Sequence, residues 1–155
     1  MSNQFTVSQF VSAPVEDVFR YMTEPELIEK WSWNFFYFED KPGGKYQYED
    51  SNQDGEFTAK GHIEDIIPNK KIVMIDDEIT GPKGVLYNNL KCLISLEHQA
   101  MGTNVVITQS GFHDEKSLSD REKRWNECLT RLSQLFGKSV GGNFSPWDES
   151  YGSIS

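Results

Sequence analysis

Histidine, cysteine and proline are scarce in this chain: three, two and six residues among 155. Two cysteines, Cys92 and Cys128, cannot make a disulfide framework or a four-thiolate zinc site. The histidines, His62, His98 and His113, lie far apart in sequence. Only His62 and Glu64 share a strand face, and a solvated face accounts for them, so no metal is expected. Residues 50–55 mimic the first half of a calcium loop, but Gly61 stands where the twelfth-position glutamate belongs. They are expected to form a hairpin turn. No G-x-S-x-G elbow marks a serine nucleophile.

Positive charge is also in short supply. Fifteen Lys and Arg face 24 Asp and Glu, for a formal charge of −9. Such a field repels phosphate backbones, so no nucleic-acid partner is expected. No run approaches the roughly 18 apolar residues that a membrane helix needs, so no membrane span is expected. The first residues lack the basic-then-apolar layout of a signal peptide. With so few cysteines, a reducing cytoplasm is the expected location, and the two thiols are expected to be buried and inert.

What is present is an ordinary globular composition, 37% hydrophobic and 13% aromatic, at a length that suggests one domain. Residues 5–12 alternate in period two, which predicts a strand. Pro14, Glu16 and Asp17 then open a helix with an apolar stripe at Val15, Val18, Phe19 and Met22. Thr23-Glu24-Pro25-Glu26 matches a capping box for a second short helix reaching Trp31. Five aromatics among residues 33–38 favour a strand. Further strands are predicted around Tyr46 and Tyr48, over 57–63, 72–75, 86–96 and 105–109, with Gly61 as a bulge or close backbone approach. The acids Asp76, Asp77 and Glu78 are expected to cap a strand end in solvent.

The last segment changes period. Trp125, Leu129, Leu132 and Phe136 recur at helical spacing, with Cys128 and Leu135 widening the stripe and polar residues from Arg121 to Gln134 opposite. The helix should end near Gly137. Residues 138–155 read as a Gly/Ser-rich C-terminal tail with Phe144, Trp147 and Tyr151 as possible anchors. One domain is therefore expected over 1–137. Its class is α+β: a curved antiparallel sheet of about seven strands wrapped on a long C-terminal helix, with two short helices after the first strand.

In family order and spacing, the chain carries residues 13–19 (APVEDVF), Thr23-Glu24-Pro25, Trp31, residues 42–46 (PGGKY) and Gly61-His62-Ile63. Pro68, Gly102-Thr103, residues 109–112 (QSGF), Trp125, Leu129 and Leu132 follow. This ordered set resembles the Bet v 1-like or START-like (SRPBCC) superfamily, in the branch similar to the C-terminal domain of the activator of Hsp90 ATPase. The resemblance covers about residues 5–137. It implies a helix-grip fold and a central cavity that in relatives accepts apolar molecules, without implying one activity. Phe19 departs from the common tryptophan of the first helix, and Asp76 stands where relatives often carry a tryptophan.

Tyr46, Tyr48, Phe57, Val105, Gln109, Phe112, Trp125, Leu129 and Leu132 are expected to face the concavity as ligand-binding residues. Inward Tyr and Gln need hydrogen-bond partners once buried. The expected function is non-catalytic binding of a small hydrophobic or aromatic ligand, without a cofactor. A chaperone or other protein is the alternative partner, and a cyclase- or hydratase-type enzyme is the third reading. No catalytic residue is assigned.

Overall fold

The computed structural model describes residues 3–52 and 55–137. Alternation along β1 (Gln4–Val11) buries Phe5, Val7 and Val11 and leaves Thr6, Ser8 and Phe10 exposed. Pro14 caps α1 (Val15–Thr23) from outside the helix, and α1 buries Val18 and Met22. The single turn α2 (Pro25–Ile28) follows. The expected capping box does not form. Thr23 still belongs to α1, where its hydroxyl donates to the Phe19 carbonyl at 3.2 Å, and Glu24 becomes the cap without a side-chain bond. Nor does α2 reach Trp31, whose indole N–H is tied to the Tyr21 carbonyl at 2.8 Å.

Six more strands follow: β2 (Asn34–Phe38), β3 (Lys45–Asn52), β4 (Gly55–Ile67), β5 (Lys71–Gly81), β6 (Gly84–Gln99) and β7 (Gly102–Ser110). All seven form one antiparallel sheet in the order β1-β7-β6-β5-β4-β3-β2. The expected α+β helix-grip class is the observed one. Four register shifts bend the sheet, with Phe36 the extra residue in β2, Glu64 in β4, Asp77 in β5 and Leu86 in β6.

α3 (Glu115–Gly137) covers the apolar face with Trp125, Cys128, Leu129 and Leu132. Its first turn is fastened by Asp114, which accepts the Ser117 N–H at 2.7 Å and the Tyr87 hydroxyl at 2.8 Å. At the other end Leu135 is exposed, against expectation, because Phe136 takes the inward position and packs edge-on against Tyr21 at 4.8 Å. The expected tail 138–155, with Phe144, Trp147 and Tyr151, lies outside the described residues. Among the described residues no helix is long and apolar enough to cross a membrane.

Candidate binding site

Tyr46, Gly61 and Asp76 stand directly opposite one another on three adjacent strands. Gly61 has no side chain, so the Tyr46 ring lies across β4 and its hydroxyl donates to Asp76 Oδ1 at 2.5 Å. A Cβ at position 61 would sit 2.4 Å from that hydroxyl oxygen and 2.1 Å from the Ile75 carbonyl oxygen. The sequence expectation of a bulge or close approach here is met on both counts. Tyr48, two residues along the same face of β3, donates to Asp76 Oδ2 at 2.7 Å.

Asp76 was expected at a solvated strand end, and the structure corrects this. β5 runs on to Gly81, and Asp76 keeps the inward face of Ile72 and Met74 at only 3% exposure. The bulge at Asp77 then resets the alternation so that Ile79 also points inward. Burial pushes the Asp76 carboxyl above its ordinary range, against the pull of Arg121 and of the two hydroxyls. Burial, followed by the charge of Asp76, raises both phenols far above their usual value. Both tyrosines are therefore standing donors.

Arg121, from the second turn of α3, reaches this network by donating Nη1–H to the Tyr48 oxygen at 3.4 Å. Burial opposes its charge, but Tyr48 and Asp76 outweigh that and lift its pKa above the ordinary guanidinium value. Its guanidinium lies 5.1 Å from the Trp33 ring centre and 5.8 Å from that of Phe57. One turn further, Arg124 pairs with Asp50 at 3.0 Å and lies 5.3 Å from the same Trp33 ring. Trp33 also packs edge-on against Trp125 at 4.5 Å. Trp125 donates its indole N–H to Gln109 Oε1 at 2.9 Å, which gives the buried glutamine the partner it needs. The Trp33 indole N–H is the one buried side-chain polar atom, among the described residues, without a partner.

Between sheet and α3, a roomy hollow is not what the chain leaves. The aromatics fill the concavity down to an inner cavity of about 30 Å³, bounded by Tyr48, Asp76, Gln109, Arg121, Trp125 and Trp33. That holds about two water molecules at roughly 10–15 Å³ each. A second, open groove of about 510 Å³ lies outside it, between the turn-proximal ends of β4, β5 and β6 and the first turns of α3. Phe57, Leu86, Tyr87 and Phe112 supply its apolar wall. Trp33 and Arg121 border both spaces, so they form the partition between them.

The expected site residues therefore divide. Tyr48, Gln109 and Trp125 border the inner cavity, and Tyr46 lies behind it against Asp76. Phe57 and Phe112 line the outer groove. Val105, Leu129 and Leu132 are fully buried and border neither space. Asp76, Arg121 and Trp33 went unassigned from sequence. Arg121 was discoverable, since it lies four residues before Trp125 and thus on the same helical face.

Other features stay structural. Cys92 and Cys128 are free and buried; burial raises both thiols, that of Cys128 to about 11. His62 Nδ1 lies 3.0 Å from the Asp77 carboxylate. Among the described residues no cluster of three His, Cys, Asp or Glu could hold a metal.

Among curated proteins, no significant match was found. Solved structures share the fold. Protein CV1439 from Chromobacterium violaceum superposes with a TM-score of 0.74 at 21% identity, over 88% of this chain and 98% of that one. Protein Ms6760 from Mycobacterium smegmatis gives 0.72 at 12% identity, over 93% and 94%. Protein MLL2253 from Mesorhizobium loti gives 0.70 at 22%, over 85% and 95%. The profile of the Activator of Hsp90 ATPase homolog 1-like protein family matches residues 12–137, from the end of β1 to the end of α3, and the chain belongs to that family.

Proposed function

We propose that the protein binds a small hydrophobic or aromatic ligand, without catalysis, in the groove between the sheet and the first turns of α3. The observation that carries this reading is the groove itself. At about 510 Å³ it falls in the usual range of ligand pockets, roughly 300–1,000 Å³, with an aromatic and aliphatic wall on the sheet side and charged side chains, among them Asp114, Lys116, Asp120 and Arg121, on the α3 side. The 30 Å³ cavity behind it is too small for anything but water, so the ligand sits further out than a sheet–helix hollow would have put it. Asp76 commits both carboxylate oxygens to tyrosine hydroxyls, which leaves it poorly placed as an acid or base and weighs against a cyclase or hydratase.

Native mass spectrometry of protein purified from its own cells tests the reading. One retained apolar compound at near one-to-one occupancy is expected, with occupancy lost in Leu86→Asp, an exposed position on the groove wall. Retention unchanged in that variant would place the ligand elsewhere and sink the proposal.

A second reading, an interaction domain for a chaperone, is supported by the family and by a surface feature. Phe36 and Tyr37 are 55% and 42% exposed on the edge strand β2, side by side at its bulge. An Hsp90 ATPase assay decides it: stimulation lost in Phe36→Ser/Tyr37→Ser would support it, and unchanged turnover with excess wild-type protein would dismiss it.

A further inference from the structure

The partition between groove and inner cavity is built from two hydrogen-bond donors that the protein leaves underused. Arg121 is partly buried, yet no carboxylate forms an ion pair with it among the described residues. Its one hydrogen bond is the long 3.4 Å contact to Tyr48, although a guanidinium carries five N–H groups. Rings of Trp33 and Phe57 lie beside it, and aromatic rings offer no lone pairs to N–H groups in the guanidinium plane. Its neighbour Arg124, by contrast, is matched to Asp50. Trp33 is 3% exposed, and its indole N–H has no acceptor among the described residues.

A buried donor without an acceptor costs stability, and a protein retains such groups where something else completes them. Trp33 and the spare N–H groups of Arg121 border the same junction, at the inner end of a groove with an aromatic and aliphatic wall on one side and charged side chains, Asp50, Asp114 and Asp120 among them, on the other. Their complement is a planar acceptor bearing negative charge, which a guanidinium grips with two parallel N–H groups. Asp76 does not fill that role. Its charge is felt by Arg121, but its oxygens are taken by Tyr46 and Tyr48, and the hydrogen bonding between the two residues runs through the Tyr48 hydroxyl.

We infer that the ligand is an apolar carboxylic acid, its body on Phe57, Leu86 and Phe112 and its carboxylate at Arg121 with the Trp33 indole N–H as second donor. This inference rests on the groove-binding reading and deepens it. It assigns Arg121 as the specificity-determining residue. The chain's net charge of −9 opposes anions at long range, so selection must arise at this junction.

Calorimetric titration with three probes sharing a naphthalene body tests it: 2-naphthoate, 2-naphthalenemethanol and 2-naphthylmethylammonium. Naphthoate is expected to bind about tenfold or more tightly than the alcohol, and the ammonium more weakly still. In Arg121→Met the naphthoate advantage should vanish while alcohol binding persists, which also certifies that the variant is folded. In ¹⁵N spectra the Trp33 indole signal, assigned by its loss in Trp33→Phe, should move downfield with naphthoate and less with the alcohol. Equal or tighter binding of the alcohol to wild type overturns the inference and leaves the groove reading standing. Failure of all three probes to bind overturns both.

Discussion

Replacing Gly61 with alanine places a methyl group where the Tyr46 ring now passes over β4. The new Cβ would meet the Ile75 carbonyl oxygen at 2.1 Å, the Tyr46 hydroxyl at 2.4 Å and the ring carbon bearing it at 2.5 Å. The carbonyl belongs to a strand paired on both sides and yields little, so Tyr46 has to move. Moving it strips the buried Asp76 Oδ1 of its donor, worth about 1–3 kcal/mol. Overpacking against the backbone adds about 1–3 kcal/mol. The expected loss is therefore about 2–6 kcal/mol, a large part of the roughly 5–15 kcal/mol that a domain has. Urea unfolding followed by circular dichroism measures it, with the exposed neighbour Lys60→Ala as control. In a Tyr46→Ala background the Gly61→Ala penalty should shrink by about 1 kcal/mol or more, since only the carbonyl contact remains. A single-mutant loss below about 0.5 kcal/mol at unchanged m-value would refute the crossing of β4 by Tyr46.

The buried carboxyl of Asp76 gives a pH signature. Its folded pKa is raised above the unfolded value, so the folded state holds the extra proton and stability falls as pH rises through the interval between the two. Stability of wild type relative to Asp76→Asn should therefore improve on going from about pH 7 to about pH 4, by ~1.4 kcal/mol per unit of raised pKa. A difference that worsens on acidification would show the carboxyl to be depressed instead. Leu132 is fully buried, and Leu132→Ala should cost about 2–5 kcal/mol in the same unfolding assay. A melting curve that does not move would make α3 peripheral. Neither thiol should react with a disulfide reagent at neutral pH until the chain unfolds, because both are buried and their pKa values are raised. Labelling of the native protein within minutes would contradict the packing of Cys92 and Cys128.

The sheet was legible because period two survives along most of its strands: Leu90, Cys92, Ile94 and Leu96 all turn inward as their spacing requires. Gly61 was legible because an isolated glycine in a strand has few uses. Asp76 was not. Three consecutive acids read as solvent-facing by composition, and only pairing across β4 reveals that the first of them meets two tyrosines. Arg121 was assigned to the polar face of its helix by charge, although its spacing from Trp125 put it on the other. The failed capping box has the same root, since whether Thr23 is a cap depends on where α1 stops. Local pattern gave the faces of the elements, and the site arises where Trp33, just before β2, meets side chains from β3, β5, β7 and α3, which no local pattern encodes.

The pairing of β1 with β7 has a consequence for how the chain comes off the ribosome. Gln4 is matched to Ser110, and the rest of β1 to the remainder of β7. During synthesis β1 therefore waits, with Phe5, Val7 and Val11 uncovered, while five other strands emerge and can zip together as successive neighbours. Only when β7 has been made can the first strand join, and only after that can α3 close over it, since α3 packs chiefly against β1. β1 is thus made before the other six strands and is among the last to find its place. It is the segment that a holding chaperone or a truncated product would most expose.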